Sequence, residues 1–402
     1  MLYSTQQGVP HMQINFVTNE LKMLRTAFQN RGFDIRLVGG AVRDMLIGET
    51  PKDMDFCTDA NPTEQVEIYT ANGYRFVETG LQHGTITVII DHVGYEITSL
   101  RTETDHDGRH ATVAYTRDWM ADLSRRDFTF NAMAMTFDGV LIDPFGGQED
   151  LRNQIVRFVG DADARVKEDY LRILRWFRFF GRFGHGSVDH AAMTAIRENA
   201  QGLSKISRER VWSEVKRIVQ HHTGPDLMKV MLNMGLFEHI NMVTYWNKNT
   251  GEKIAYWKSN TCTDAQEWTN DPEILMAAGQ DWQVYSVEDI AANLKWSSDE
   301  RDHALWLCKH YNWGHDLRRL IAVDGAPRKW VAELAAMEGR DAWSQAALVY
   351  WHFDPFPVNG DDLKAAGVVP GKAMGDMLRK MKNVWADSGY VATKEELLSG
   401  VV

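Results

Sequence analysis

An α+β head followed by an all-helical remainder is the fold class that this sequence predicts, and three observations predict it. Between residues 33 and 145, short apolar runs rich in β-branched residues ("FDIRLVGG", "MDFCT", "GTITVII", "YEITSL", "VLIDPF") alternate with Gly, Asp and Asn punctuation, as the strands of a small sheet do. Helical patterns lie between those runs, "AVRDMLIG" and "NPTEQVEIYTANG", the second opened by an Asn that can cap and a Pro at the first helical position. From about residue 150 the strand signal disappears and long helical stretches follow, "KEDYLRILRWFRFFGRF", "HAAMTAIRENAQGL", "RERVWSEVKRIVQHH" and "PDLMKVMLNMG". The Trp-rich region 240–315 reads as irregular helix with loops.

Composition narrows the function. With 402 residues, 44% of them hydrophobic, the chain can bury a large core divided among several domains. No apolar run approaches the roughly 18 residues that cross a bilayer. The opening "MLYSTQQGVPHMQINF" has neither a basic leader nor an apolar core, so the expectation is a cytoplasmic protein with no membrane contact. Cys57, Cys262 and Cys308 are odd in number and far apart, which indicates neither a disulfide framework nor a zinc cage. They are expected to be buried small apolar residues. A net charge of −11 opposes indiscriminate binding to nucleic acid, so a polyanionic partner requires local positive charge. Residues 165–182 supply it, with Arg165, Lys167, Arg172, Arg175, Arg178 and Arg182. At roughly 100° per residue, Arg172, Arg175, Arg178 and Arg182 share one arc of a helix, with Asp169 beside its edge and Leu174, Phe177 and Phe180 elsewhere.

The stretch "RLVGGAVRDMLIGETPKDMDF" (36–56) carries the chemistry. Asp53 and Asp55 stand at i and i+2 in a strand-like context, where both side chains leave the same face. Two converging carboxylates suit magnesium, which binds one or two carboxylates together with substrate phosphates. Upstream, a strand ends in Gly39 and Gly40 and opens directly into a helix, presenting unobstructed backbone N–H groups to a triphosphate. Arg43, in the first turn of that helix, can add bidentate phosphate or ribose contacts. A dinucleotide-binding oxidoreductase is excluded, because no G-x-G-x-x-G follows the strand.

In the order strand, Gly-Gly, helix with Arg-Asp, then D-x-D, these features resemble the nucleotidyltransferase superfamily whose head is similar to the polymerase β palm. "LVGGAVRDMLIGETPKDMDFCT" (37–58) resembles the first motif of class II tRNA nucleotidyltransferases and bacterial poly(A) polymerases. "DLSRRDFTFNAMA" (122–134) resembles the second motif, "DPFGGQEDLRNQIVRFVGDA" (143–162) the link after it, "EDYLRILRWFRFFGRF" (168–183) the nucleotide-selecting motif and "SRERVWSEVKRI" (207–218) the last. The C-terminal half resembles the body and tail of the shorter bacterial CCA-adding enzymes, most visibly at 362–398.

The resemblance implies a polymerase β-like head over residues 1–147, a helical nucleotide-selecting neck over 148–222, a helical body over 223–330 and a helical, tRNA-binding tail over 331–402. It implies attack by a tRNA 3′-hydroxyl on the α-phosphate of CTP or ATP, with pyrophosphate leaving and Mg2+ held by Asp53 and Asp55. Glu96 is the third metal carboxylate by the same resemblance. Gly40 and Arg43 fall to the nucleotide site, Arg126 contacts triphosphate or sugar, Arg175 supports sugar or phosphates, and Arg178 belongs to the surrounding network. Arg125, the loop-ordering Asp127 and the local hydrogen-bonder Asn131 stand beside them. Cytosine and adenine share an amino donor beside a ring-nitrogen acceptor, so an accepting Asp169 and a donating Arg172, three apart on a helix face, fit both and reject uracil and guanine.

Bacterial poly(A) polymerases are the nearest alternative. They carry a G-[RK]-[RK]-F segment where this chain has "GLQHGTITVII". Partial enzymes that add only CC or only A share the motifs, but the polar segment 103–119 resembles the loop used in switching from C to A and favours complete addition. A non-catalytic relative that only binds tRNA or nucleotide is disfavoured, because both metal aspartates and the selecting pair are present. Arg318, Arg319, Lys372, Arg379, Lys380 and Lys382 are candidates for tRNA backbone contacts. Monomer and homodimer both stay open.

Overall fold

The computed structural model describes residues 3–6, 9–12, 17–81, 84–104, 112–247, 249–311 and 316–399. Residues 82–83 and 105–111, within the two segments compared above with poly(A) polymerases and with the switching loop, lie outside the described residues. The chain divides into two compact units, 1–221 with 233–240, and 222–232 with 241–402.

The first unit is built on a seven-stranded mixed sheet, in the order Leu141–Ile142, Ala134–Met135, Ile35–Val38, Asp55–Thr58, Val93–Ser99, Thr85–Ile90 and Arg75–Gly80. Only the pair Asp55–Thr58 and Val93–Ser99 is parallel. Strand 85–90 alternates buried and half-buried residues, the pattern of a sheet covered on one face. The cover includes helix Asn19–Gln29, which buries Leu21, Leu24 and Phe28, and helix Pro62–Ala71. The latter starts as expected, with Asn61 and Glu64 forming a capping box and a proline in the first turn. Gln65 from this helix is fully buried and is satisfied by Ser99 (2.8 Å) and Tyr69 (2.9 Å), which locks helix to sheet.

In the same unit, the helix Leu171–Phe183 presents an apolar face that includes Trp176, Phe177, Phe179 and Phe183. Phe179 meets Phe128 and Phe130 edge-on, with ring centroids 5.2 and 5.3 Å apart, and Phe128 stacks on Phe158 at 5.0 Å. The opposite arc carries the expected arginines, but it is not a solvated face. Arg172 pairs with Glu168 (2.6 Å), Arg175 with Asp127 (2.5 Å), Arg178 with Glu214 (2.7 Å), and Arg182 with Asp44 (3.1 Å) and Glu49. Each arginine thus ties the helix to a carboxylate, and all but Glu168 come from distant parts of the unit.

Two sequence expectations are corrected here. Asp169 and Arg172 do not share one helix: Ala162–Glu168 ends before Asp169, whose backbone is extended (φ −151°), and the next helix begins at Leu171. The Asp169 carboxylate accepts the N–H of Leu171 (3.1 Å), a side-chain bond that competes with helix continuation and separates the two helices. The second correction lies in the other unit, where the region read as irregular helix holds a β-hairpin, Val243–Asn247 with Glu252–Ala255. The β-branched and aromatic residues of "VTYW" suit a strand, and Gly251, in the left-handed region (φ +68°), suits the turn.

The rest of the second unit is helical among the described residues. Its C-terminal part packs Leu363, Met374, Met381 and Leu397 around Trp385, which is 1% exposed. All three cysteines are buried, and burial pushes the thiols of Cys57 and Cys308 up to about 12, so they stay protonated. Among the described residues no helix is long and apolar enough to cross a membrane.

Two substitutions test this packing. Trp176 is 1% exposed, donates to the carbonyl of Val156 (3.0 Å) and stacks on Phe180. Trp176→Ala is expected to lower unfolding free energy by about 3–5 kcal/mol in a urea titration. Burial opposes ionisation of Asp127, but Arg175, Asn131 and the Phe128 N–H together hold its carboxyl below the ordinary aspartate value. A depressed carboxyl stabilises above its unfolded pKa and loses that contribution as pH falls through the folded one. Asp127→Asn should therefore cost about 2 kcal/mol at pH 7, with the gap from wild type closing below about pH 4.

Candidate active site

Two adjoining regions of the sheet unit hold the residues singled out from the sequence. Asp55 is the first residue of its strand and pairs in parallel register with Glu96, so their carboxylates stand level on neighbouring strands. Asp53 lies in the bend before the strand, not within it. The antiparallel partner Ile35–Val38 pairs only as far as Phe56, because it turns away at the two glycines, so nothing continues the ladder back to Asp53. Asp53 is therefore placed by a bend and not by the pleat, and the expectation that both side chains leave one strand face does not hold. Asp53, Asp55 and Glu96 line one cavity of about 650 Å3, together with Lys52 and Tyr95. Burial raises the Asp55 carboxyl above its ordinary value; Arg126 opposes this and Asp53 adds to it. Three carboxylates on one cavity wall offer the hard, oxygen-only donors that a small divalent cation takes, although their oxygens are not gathered into one tight cluster as they stand.

A second cavity of about 600 Å3 is walled by Gly39, Gly40, Arg43, Arg126, Asp169, Arg172 and Arg175, with Arg101, Arg125 and Arg210. Gly39 sits in the left-handed region (φ +64°), and a Cβ there would come within 2.6 Å of the Arg126 guanidinium. That close approach, and the turn from strand into helix Gly40–Leu46, require glycine. Arg43 is 7% exposed and held by Asp44 (2.7 Å) and Asn131 (2.7 Å), which fixes its guanidinium at the wall. Asp122, wholly buried, takes Arg125 (2.8 Å) and Arg126 (3.3 Å). Arg178 lines neither cavity; burial lowers its guanidinium to about 10, and its Glu214 partner lies at ion-pair distance without hydrogen-bond alignment.

Asp169 and Arg172 both reach the second cavity, each held by another residue. Asp169 pairs with Arg210 (2.6 Å) from helix Arg208–Val219. Arg172 pairs with Glu168 (2.6 Å) and donates to the carbonyls of Arg165 (2.8 Å) and Arg125 (3.3 Å). Sequence reasoning assigned no role to Arg210, Glu168, Asp122 or Glu214. Asp122 with Arg125 and Arg126, and Glu168 with Arg172, stand three or four residues apart, a helical spacing that could have revealed them, whereas Arg210 and Glu214 meet Asp169 and Arg178 from far along the chain, where no spacing rule applies.

Comparison with known proteins agrees with this architecture. The model of the Poly A polymerase head domain matches residues 35–157, and that of the probable RNA and SrmB-binding site of polymerase A matches 187–243. The chain is 36% identical to the mitochondrial CCA tRNA nucleotidyltransferase 1 of Mus musculus, over 99% of this chain and 93% of that protein. It is 38% identical to the Danio rerio protein of the same name, over 95% and 90%. A solved structure of the Bacillus stearothermophilus CCA-adding enzyme in complex with CTP superposes with a TM-score of 0.76 at 24% identity, covering 95% of this chain and 96% of that one. Similarity of this extent, along nearly the whole length of the relatives, places the chain in the CCA tRNA nucleotidyltransferase family.

Proposed function

We propose that this chain adds or restores CCA at the tRNA 3′ end, joining CMP and AMP from CTP and ATP and releasing pyrophosphate. The observation that carries this reading is the placement of Asp53, Asp55 and Glu96 beside a cleft walled by Gly40, Arg43, Arg126, Asp169, Arg172 and Arg175.

The donor set at the carboxylates fits Mg2+, held by Asp53 and Asp55 with Glu96 alongside. Bound there, magnesium supplies a more acidic attacking hydroxyl and neutralises charge on the phosphates. The chain's own part is positioning. Backbone N–H groups at Gly40 and the guanidinium of Arg126 orient the triphosphate, and Arg43 and Arg175 add donors toward sugar and phosphate. Asp169 accepts the exocyclic amino group that cytosine and adenine share, and Arg172 donates to the adjacent ring nitrogen. Uracil and guanine would set acceptor against acceptor and donor against donor. In the second unit, Lys372 and Lys380 are exposed on one face of helix Lys372–Asp387, where they serve as tRNA phosphate contacts, and Arg379 is exposed beside them but pairs with Asp376 (2.9 Å). Arg319 is committed to Asp387 (2.7 Å) and Asn383 (2.8 Å) and is left out of that role.

The decisive assay supplies the protein and magnesium with tRNA transcripts ending before CC, after CC and after CCA. Growth of the shortest by CCA and no further, without use of UTP or GTP, is the expected result. A long A ladder, or arrest at CC, overturns the assignment. Asp55→Asn should reduce kcat/KM at least about 10³-fold, the scale of a lost transition-state charge stabiliser, with the fold unchanged by circular dichroism. Arg172→Ala should narrow the preference for CTP over UTP at least about 100-fold in single-nucleotide assays, because the mismatched base no longer meets an unpaired donor.

A further inference from the structure

The second unit contains a histidine whose surroundings demand positive charge. His303, on helix Ser298–His310, is 5% exposed. Its Nε2 lies 2.6 Å from Glu333, and its Nδ1 lies 3.1 Å from Glu273 and 3.9 Å from Asp271. Glu333 and Glu273 are themselves buried, at 7% and 8% exposure. Trp330 stacks on the imidazole at 4.8 Å, with the rings 11° from parallel, and so fixes its plane.

A neutral imidazole has one N–H and one lone pair. Wherever that hydrogen sits, the other nitrogen directs its lone pair at a carboxylate oxygen, so one more positive charge is needed there, either a second proton on the ring or a metal ion. The shorter contact assigns the N–H to Nε2 and Glu333. Nδ1, Glu273 and Asp271 then converge on one point, and their three donor atoms all lie within 4.8 Å of one another. A carboxylate behind the far nitrogen of a histidine is the arrangement that orients metal-bound imidazoles and raises their basicity. The protein's own cation is already drawn to the group: the Lys329 ammonium contacts Asp271 and lies 3.8 Å from Glu333. Lys329 is 64% exposed and the Asp271 side chain 30%, so both can shift. Ligands of a tetrahedral zinc ion with bonds near 2.1 Å stand about 3.4 Å apart, which requires only side-chain adjustment from the distances seen.

We propose that Asp271, Glu273 and Nδ1 of His303 form a binding site for a divalent cation of the zinc class, with Glu333 orienting the histidine. One imidazole and two carboxylates select borderline ions over magnesium, which takes oxygen ligands. Binding displaces the Lys329 ammonium from Asp271 and leaves Nδ1 unprotonated. The ion ties the start of helix Pro272–Gly279 to helices Ser298–His310 and Arg328–Met337. Its place is therefore structural, in a unit that does not contain the magnesium carboxylates.

The test uses full-length protein stripped with a chelator, then given zinc chloride, with magnesium chloride in parallel. Zinc is expected to remain at one per chain after gel filtration, measured by elemental analysis, and to raise the unfolding temperature by several degrees where magnesium does not. His303→Gln should lose the retained zinc. Lys329→Ala, a surface change, should tighten zinc binding about 10-fold by calorimetry, because the competing ammonium is gone. Retention of no zinc, or equal retention by wild type and His303→Gln, overturns the proposal, as does unchanged or weaker binding by Lys329→Ala. In those outcomes His303 is a doubly protonated bridge and nothing more.

Discussion

Seven guanidinium groups line a single cleft of this protein, and at that density like charges repel unless anions are built in behind them. Asp122 and Asp127 supply that backing. The first is wholly buried beneath Arg125 and Arg126; the second receives Arg175 while also accepting from Asn131 (3.0 Å) and from the N–H of Phe128 (2.9 Å). Glu214 faces Arg178 on the same arc of the helix and also lies 3.8 Å from Arg175. A cleft organised in this way holds its donors in place before any polyphosphate enters, and little reorganisation remains to be done on binding. The aromatic packing of Phe128, Phe130 and Phe179 has the complementary task of fixing the helix that carries four of the unit's arginines against the segment that holds Asp127 and Asn131.

The acidic side of the unit follows from sheet topology. A single parallel pairing in an otherwise antiparallel sheet brings Asp55 level with Glu96. The same strand that ends early to form the Gly39–Gly40 turn also leaves Asp53 unpaired by any ladder. One local decision, stopping a strand at Val38, thus shapes both the glycine corner and the unpaired bend that carries Asp53.

Much of this could be read from the sequence, and the boundary of legibility is physical. The strands at 35–38, 55–58, 85–90 and 93–99 and the capped helix 62–71 were visible because their signals are local: β-branched alternation, Asn-Pro at a helix start, glycine at a turn. The aspartates and arginines were visible through motifs. Asp53's bend was not, since D-x-D reads as strand unless the length of the neighbouring strand is known. The break at Asp169 was hidden because a lone aspartate inside a helical period carries no mark of whether its carboxylate will cap the next turn. The hairpin at 243–255 was obscured because Tyr245 and Trp246 suit a strand and a buried helix equally. Pairs such as Asp169 with Arg210, or His303 with Glu273 and Glu333, span 30 residues or more, and only the fold brings them together.

The break between the helices has one more consequence. In the proposed reading Asp169 and Arg172 face the incoming base, yet each already has a charged partner, Arg210 and Glu168. Engaging a base then exchanges one set of hydrogen bonds for another of similar strength, and the net gain from the base itself is small. Discrimination survives, because a mismatched base offers a poorer exchange than a matched one. Residence time does not: a base held by exchange leaves as readily as it came. A single pocket that must accept one kind of nucleotide and soon afterwards another is better served by brief occupancy than by tight grip.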